Sequence, residues 1–304
     1  MISSSLSTGF AHALQAAQDA AGPQQYPTHT LYVVATPIGN LADISLRALH
    51  VLGLVDAVAC EDTRHTQQML RAYGIERPAS QLLAVHQHNE AEAARSVLER
   101  LAQGQRVACV SDAGTPAISD PGARLVKAVR ASGHRVLPLP GASSITTLLS
   151  AAGMTGEGFV FSGFLPSKAV ERQQQVQAIA QERRAVVLLE APHRIGALAG
   201  ALAALGDRSV TVGRELTKQF EQIETLPASA LPAWLAERPE HQRGEFVLVV
   251  HDQAALTDAG EGERILPLLL AELPLKTAVR LAAEISGESR NALYQRALAL
   301  KKGD

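Results

Sequence analysis

Arg106-Val107-Ala108-Cys109-Val110-Ser111-Asp112-Ala113-Gly114-Thr115-Pro116-Ala117-Ile118-Ser119-Asp120-Pro121-Gly122 is the stretch that decides the fold. After Arg106 comes a short continuous apolar run, the pattern of a strand buried on both faces. The residues that follow are dense in Gly, Pro, Ser and Asp and lead into an amphipathic helix over 122–132, closed by Gly133. A loop of this length between strand and helix is more often functional than connective. In an open parallel sheet, ligands gather beyond the carboxyl ends of the strands. Asp112, at the strand end, is placed to accept hydrogen bonds from a ligand amine or ribose. Asp120 suits the cap of the next helix, with Pro121 at its first position.

Working outward, the same alternation repeats. Strands are expected over 31–35, 55–60, 81–85 and 134–138, and helices over 43–53, 63–73 and 90–103. Asp43 is read as the cap of the first helix, and Gly53, Gly74, Gly104 and Gly133 as terminators. Continuous apolar strands alternating with helices imply a mostly parallel sheet covered on both faces. The second half is less regular. Strands fall over 159–162, 185–189, 210–213 and 246–250, with another possible over 219–226, and helices over 142–152, 167–182, 195–205 and 228–236. The fold class is therefore α/β in two domains, 31–141 and 142–252. Before them, residues 1–30 are small and polar and read as a flexible tail. After them, a polar linker over 252–263 leads to a helical region within 253–304. Its Ser286-Gly287-Glu288 join fits either a helix-turn-helix or a plain helical hairpin.

Further stretches can carry chemistry. Ala35-Thr36-Pro37-Ile38-Gly39-Asn40-Leu41 follows the first strand, and its turn offers free backbone N–H groups to a carboxylate or phosphate. It is neither a G-x-G-x-x-G nor a P-loop sequence. Leu139-Pro140-Gly141-Ala142-Ser143-Ser144 opens a helix at the join of the halves, so Ser143 and Ser144 are caps or the floor of a cleft. In the second half, charges cluster at strand ends: Lys168, Arg172, Glu190, Arg194, Arg214, Lys218, Arg243 and Glu245. As a set, the cations would form a basic rim for a phosphate backbone.

Composition narrows the classes. The chain has 304 residues, 46% hydrophobic and 19% charged, with a formal net charge of −2. That is the balance of a folded protein, and it argues against a surface that grips nucleic acid everywhere. Two cysteines, Cys60 and Cys109, make no disulfide framework and read as small buried residues. No apolar run reaches the length of a membrane span, and the start lacks the pattern of a signal peptide. No Cys or carboxylate pattern near His86 and His88 completes a metal site, and no metal is expected. No G-x-S-x-G occurs, which removes the hydrolase reading.

Taken together, several motifs resemble a known family. They are Thr36 to Leu41, Glu61-Asp62-Thr63-Arg64, Asp112 to Pro116, Ser119-Asp120-Pro121-Gly122, and Pro140-Gly141-Ala142-Ser143. Gly163-Phe164-Leu165-Pro166, Glu190-Ala191-Pro192-His193-Arg194 and Arg214-Glu215-Leu216-Thr217-Lys218 complete the set. The chain is similar to the 16S ribosomal RNA cytidine 2′-O-methyltransferases called RsmI, within the tetrapyrrole methylase superfamily. The resemblance implies two α/β domains with S-adenosylmethionine in the cleft between them, a cytoplasmic homodimer, and a cytidine in the decoding region of 16S rRNA within the 30S subunit as target. It implies a cofactor site of Pro37, Ile38, Gly39, Asp112, Gly114, Thr115, Pro116, Ser143, Ser144, Leu189, Gly244 and Glu245. Ala191 stands where a Ser is expected. By position and charge, Glu190 is a candidate base. Lys168 or Lys218 would serve as base if its pKa were depressed, or would steady a developing alkoxide. Arg172, Arg194, Arg214 and Arg243 would hold RNA. Rival readings are a superfamily enzyme acting on a tetrapyrrole or protein side chain, and a non-catalytic RNA-binding protein.

Overall fold

A computed structural model describes residues 10–86, 89–156, 158–253 and 261–302, so His88 and most of the 252–263 linker lie outside the described residues. Strands β1 (Thr30–Val34), β2 (Ala57–Cys60), β3 (Leu82–Ala84), β4 (Arg106–Cys109) and β5 (Arg135–Leu139) form a parallel sheet in the order β3-β2-β4-β1-β5. Successive side chains point to opposite faces. Tyr32, Val34, Val58, Cys60 and Ala108 pack with α1 (Ala11–Ala21), α2 (Leu46–Leu54) and α3 (Thr63–Ala72). Leu31, Ala57, Ala59, Val107 and Cys109 pack with α4 (Glu90–Ala102) and α5 (Ala123–Ala131). Burial pushes the Cys60 thiol up to about 11, so it stays protonated and inert. From the neighbours β1 and β4, the next connections leave in opposite directions across the sheet, which opens a crevice at their carboxyl ends.

Local chemistry sets the helix ends, with three departures from expectation. Gly74, Gly104 and Gly133 do stand in the left-handed region after their helices (φ 80°, 86° and 77°). Gly53 instead lies inside α2, which runs to Leu54. The cap of α2 is Ser45, whose Oγ accepts from Ala48 N at 3.1 Å. Asp43 belongs to a 3₁₀ turn begun by Asn40, too early to reach the helix. The segment read as a tail contains α1, which buries Ala17 and Ala21 against the first domain, while Phe10 meets Tyr73 edge-on at 5.0 Å. Its alternation of small alanines with polar residues hid a buried face.

The second sheet is mixed. β6 (Phe159–Phe164), β7 (Ala185–Glu190), β8 (Ser209–Arg214), β9 (Gln222–Pro227) and β10 (Phe246–Val250) take the order β6-β7-β10-β8-β9. β10 runs antiparallel to both β7 and β8, with Phe246 opposite Glu190 and Arg214. The loop before β10 therefore meets the ends of β7 and β8 on one rim. One face of this sheet packs with α7 (Ala169–Gln181), α8 (Ile195–Leu202) and α9 (Leu231–Glu237). Its other face packs with α6 (Ser144–Ala151) and with Ile38 of the first domain, so the two domains share a core. Helices α10 (Glu261–Glu272), α11 (Leu275–Ser286) and α12 (Arg290–Lys302) enclose a small core of their own around Leu266, Val279, Ala282, Leu293 and Ala297. Among the described residues, no helix is long and apolar enough to cross a membrane.

Candidate active site

The loops after β1 and β4 are laced together. Thr36 and Gly114 exchange backbone hydrogen bonds at 2.9 Å in both directions. The buried Thr36 hydroxyl donates to the Ser111 carbonyl at 3.0 Å. Gly114 adopts a φ of 79°, which a side chain rarely tolerates. Thr115 Oγ1 donates to the Ala142 carbonyl at 3.2 Å and so ties this loop to the chain entering α6. A close approach also joins the domains, since a Cβ on Gly39 would lie 2.4 Å from Lys218 Cγ and 3.0 Å from the Leu216 carbonyl.

Backbone strain concentrates here. Among the described residues, five that are not glycine have positive φ, and four lie in two loops: Ala117 (69°) and Ser119 (64°), then Glu215 (52°) and Thr217 (66°). Each such residue costs on the order of 1–3 kcal/mol and persists only where its surroundings hold it. Opposite Ser119, a β-bulge at Phe161/Gly163 with Gly163 at φ 65° brings the end of β6 close.

Two adjoining cavities result. The smaller, about 390 Å³, is lined by Ile38, Gly114, Thr115, Ser143, Ser144 and Leu189, with Phe164, Val247 and the carboxylates of Asp120, Glu190 and Glu245. Among the described residues, no Lys, Arg or His lines it. The larger, about 930 Å³, is lined by Pro37, Gly39, Asp112 and Lys218, and by the outer face of α3 with Arg64, His65, Gln68 and Arg71. Ile38, Ala113 and Glu245 border both, so the cavities meet there.

The electrostatics differ between the two. Burial raises the Asp120 pKa above the usual carboxylate range; the Ser111 hydroxyl partly offsets this and the Asp112 charge adds to it. Glu190 is buried at the end of β7. Its Oε1 accepts from Ala191 N at 2.9 Å and pairs with Arg194 Nε at 3.0 Å, while Oε2 is buried without a hydrogen-bond partner. On the other side, Lys218 Nζ donates to Glu215 Oε1 at 2.8 Å and to Glu245 Oε2 at 3.3 Å. Burial acts to lower the Lys218 pKa, but these carboxylates outweigh it and hold it above the ordinary lysine value. Glu215 Oε1 also accepts from Glu245 N at 3.0 Å, which fixes the loop before β10. Gly244 (φ 87°) is obligatory there, since its Cβ would lie 2.4 Å from Glu215 Cγ.

The structure sorts the expected residues. Ile38, Gly114, Thr115, Ser143, Ser144, Leu189 and Glu245 converge on the smaller cavity, whereas Pro37, Gly39 and Asp112 line the larger. Asp112 Oδ1 accepts from Asp62 N at 3.1 Å and thereby anchors the start of α3. Pro116 and Gly244 shape loops and line neither cavity. Ser143 holds the N-cap position of α6 without a side-chain cap bond and lines the smaller cavity. Asp120 does not cap α5, whose N-cap is Gly122; Gly122 N donates instead to the buried Glu90 Oε1 at 2.9 Å. Sequence reading missed Asp120 as a cavity residue for that reason, and missed Phe164, just past the β6 bulge, and the whole α3 face.

The expected basic rim does not form. Arg214 is buried and donates to the Phe220 and Arg243 carbonyls at 3.2 Å each. Arg194 binds Glu190 and the Leu165 carbonyl, and Arg172 closes the Ser167 carbonyl at 2.8 Å. Lys168, expected as catalytic, is exposed beside Glu171 at 3.0 Å and lines neither cavity. Arg243 remains exposed. A strand-end position says where a side chain starts, not where it points. Glu190, the candidate base, lines the smaller cavity with one carboxylate oxygen paired to Arg194 and the other unpartnered, while Lys218, held above its ordinary value, lacks the depressed pKa that a base role for it requires.

Comparison with known proteins agrees with this architecture. Residues 30–232 match the Tetrapyrrole (Corrin/Porphyrin) Methylases, and residues 257–301 match the RsmI C-terminal HTH domain. The Ribosomal RNA small subunit methyltransferase I of Pseudomonas aeruginosa is 49% identical over 282 residues, covering 88% of this chain and 96% of that protein. The protein of the same name from Escherichia coli O157:H7 is 47% identical, covering 88% and 94%. Among solved structures, cobalt precorrin-4 methyltransferase superposes with a TM-score of 0.54 at 17% identity over 73% of this chain and 94% of that one. Diphthine synthase does so at 0.55 and 15%, over 73% and 90%. A uroporphyrin-III C-methyltransferase from Thermus thermophilus, solved with S-adenosylhomocysteine, gives 0.50 at 16%, over 72% and 96%. With its two-domain fold, its adjoining cavities and these relatives, the chain belongs to the small-subunit ribosomal RNA methyltransferase I family of the tetrapyrrole methylases.

Proposed function

We propose that this methyltransferase uses S-adenosylmethionine to methylate the ribose 2′-hydroxyl of a cytidine in the decoding region of 16S rRNA. It works on 30S subunits in the cytoplasm, as a homodimer. The observation that carries the reading is the charge division between two cavities that meet at Ile38, Ala113 and Glu245. The smaller cavity fits the cofactor by the chemistry of its donor set. It combines apolar walls (Ile38, Phe164, Leu189, Val247) with hydroxyls (Thr115, Ser143, Ser144), acidic groups and no cation. Glu190 Oε2, buried without a partner, adds an acceptor that an ammonium-bearing ligand would satisfy. When bound, the cofactor supplies an electrophilic methyl group.

This chain's residues do the rest. The loops 36–39 and 113–116 and the start of α6 hold the ligand, and the shared core around Ile38 and Leu216 excludes water. A ribose hydroxyl is a weak nucleophile and must lose its proton. Glu245, whose carboxylate pairs with Lys218, borders both cavities and is the group placed to accept that proton. Lys218, fixed as a cation by Glu215 and Glu245, is placed to steady the developing alkoxide. Arg194 and Glu190 together brace the wall of the smaller cavity.

The test is to incubate the purified protein with labelled S-adenosylmethionine and 30S subunits from cells lacking the modification, then to map the label by mass spectrometry. A single 2′-O-methylcytidine in the decoding region is expected. Cofactor binding without transfer to RNA would overturn the acceptor assignment and move the search to small-molecule or protein substrates.

A further inference from the structure

With the strand-end arginines turned inward, the larger cavity needs another source of RNA contacts, and α3 supplies one. Its inner face, Thr66, Met69, Leu70 and the following Tyr73, is buried. Its outer face carries Arg64, His65, Gln68 and Arg71, all exposed and all lining the larger cavity. These positions fall on one stripe, because residues three, four and seven apart share a helix face. From Arg64 to Arg71 the helix contains no carboxylate. The backbones of Arg64 and Arg71 lie about 10 Å apart along the axis, two helical turns.

Both arginines are available. Arg64 is 90% exposed and pairs with Asp62 at 3.1 Å, and Arg71 is 59% exposed with Glu76 at 3.7 Å. Exposed pairs of this kind contribute little and give way to a better anion. The helix itself is fixed against the cofactor side. Asp62 caps it through Arg64 N at 2.8 Å, and Asp62 N is held by Asp112 Oδ1, from the loop that also lines the cavities.

We propose that the outer face of α3 seats the acceptor strand, with Arg64 and Arg71 on its phosphates and the Gln68 amide between them toward a base edge. The inference rests on the reading of the protein as an RNA methyltransferase and names the surface that binds its substrate. The chemistry recognised is that of single-stranded RNA: anionic phosphates at intervals, with unpaired bases open to an amide that both donates and accepts.

The experiment uses the full-length protein, a single-stranded RNA oligonucleotide spanning the decoding region, and unmodified 30S subunits. Arg64→Ala/Arg71→Ala is compared with Lys127→Ala/Arg130→Ala, which removes the same charge from the exposed face of α5, away from both cavities. Cofactor affinity, measured calorimetrically, verifies that each variant is folded. The α3 variant is expected to bind RNA at least tenfold more weakly at physiological salt. The slope of log K against log salt should become shallower by about 1.4, the value for two lost contacts to a single strand. KM for 30S subunits should rise more than kcat falls, and Gln68→Glu should weaken binding further. The α5 variant should stay within about twofold of wild type. Equal losses in both variants, or full RNA affinity in the α3 variant of an active enzyme, would overturn the assignment and leave the methyltransferase reading intact. A wild-type protein that neither binds nor methylates RNA would overturn both.

Discussion

The two cavities were built from the same loops yet are chemical opposites. The smaller is walled by apolar side chains, hydroxyls and three carboxylates, without a cation. The larger carries Arg64, His65, Arg71 and Lys218 against Asp112 and Glu245. A sulfonium and an ammonium suit the first, and phosphates suit the second. Glu245 borders both cavities and bonds Lys218 on the larger side, which is where the proposed reaction centre lies.

The largest effect should come from the junction. Lys218→Ala removes the cation beside the developing alkoxide and should lower kcat by roughly 100-fold, with cofactor affinity within about twofold of wild type. Single-turnover kinetics and calorimetry together separate the two quantities. Equal losses in both would place Lys218 in the cofactor site and erase the contrast between cavities. Because Lys218 is held above its ordinary value, its contribution to stability is present below about pH 10 and is lost only at higher pH. No fall in activity near neutrality should trace to its titration.

Next is the wall of the smaller cavity. Glu190→Ala strands Arg194 beside the Leu165 carbonyl and should destabilise the fold by about 3 kcal/mol, read from urea unfolding. Loss of transfer at unchanged stability would instead restore Glu190 as the base.

A smaller change is expected from Asp120→Asn, about tenfold in cofactor affinity and none in RNA affinity. The sign of its pH dependence follows from its raised pKa. The stability it contributes is present below the unfolded carboxylate value, near 4, and is lost as pH rises through the folded value. Ionised Asp120 is thus a cost that a cationic ligand offsets. Wild-type cofactor affinity should weaken as pH falls through the raised Asp120 value, and the variant should show a flatter profile and a slightly higher Tm at neutral pH. Identical profiles would show that Asp120 does not face the ligand. Lys168→Ala should change activity by less than about twofold, since the side chain is exposed and lines neither cavity.

How much of this was legible in the sequence depends on what each feature requires. The parallel first domain was, because buried strands and left-handed glycines such as Gly74 and Gly104 have strong local signatures. Part of the lining of the smaller cavity was too, since Gly114, Thr115 and Ser143 follow strands and Leu189 stands near the end of one. Side-chain direction was not. Arg214 ends β8 and Arg194 follows β7 by four residues, yet both turn inward to carbonyls that only the folded chain supplies. The α3 stripe was hidden for a related reason: an amphipathic helix shows which face is polar, not what that face borders. Helix α1 was missed because its buried residues are alanines, too small to register as an apolar stripe.

The most direct test is a crystal structure with S-adenosylhomocysteine and a short decoding-region oligonucleotide. Density for the cofactor product among Thr115, Ser143, Ser144 and Leu189, with RNA phosphates against Arg64 and Arg71, is the expected result. Cofactor density against α3, or RNA entering beside Asp120, would contradict the division of the two cavities.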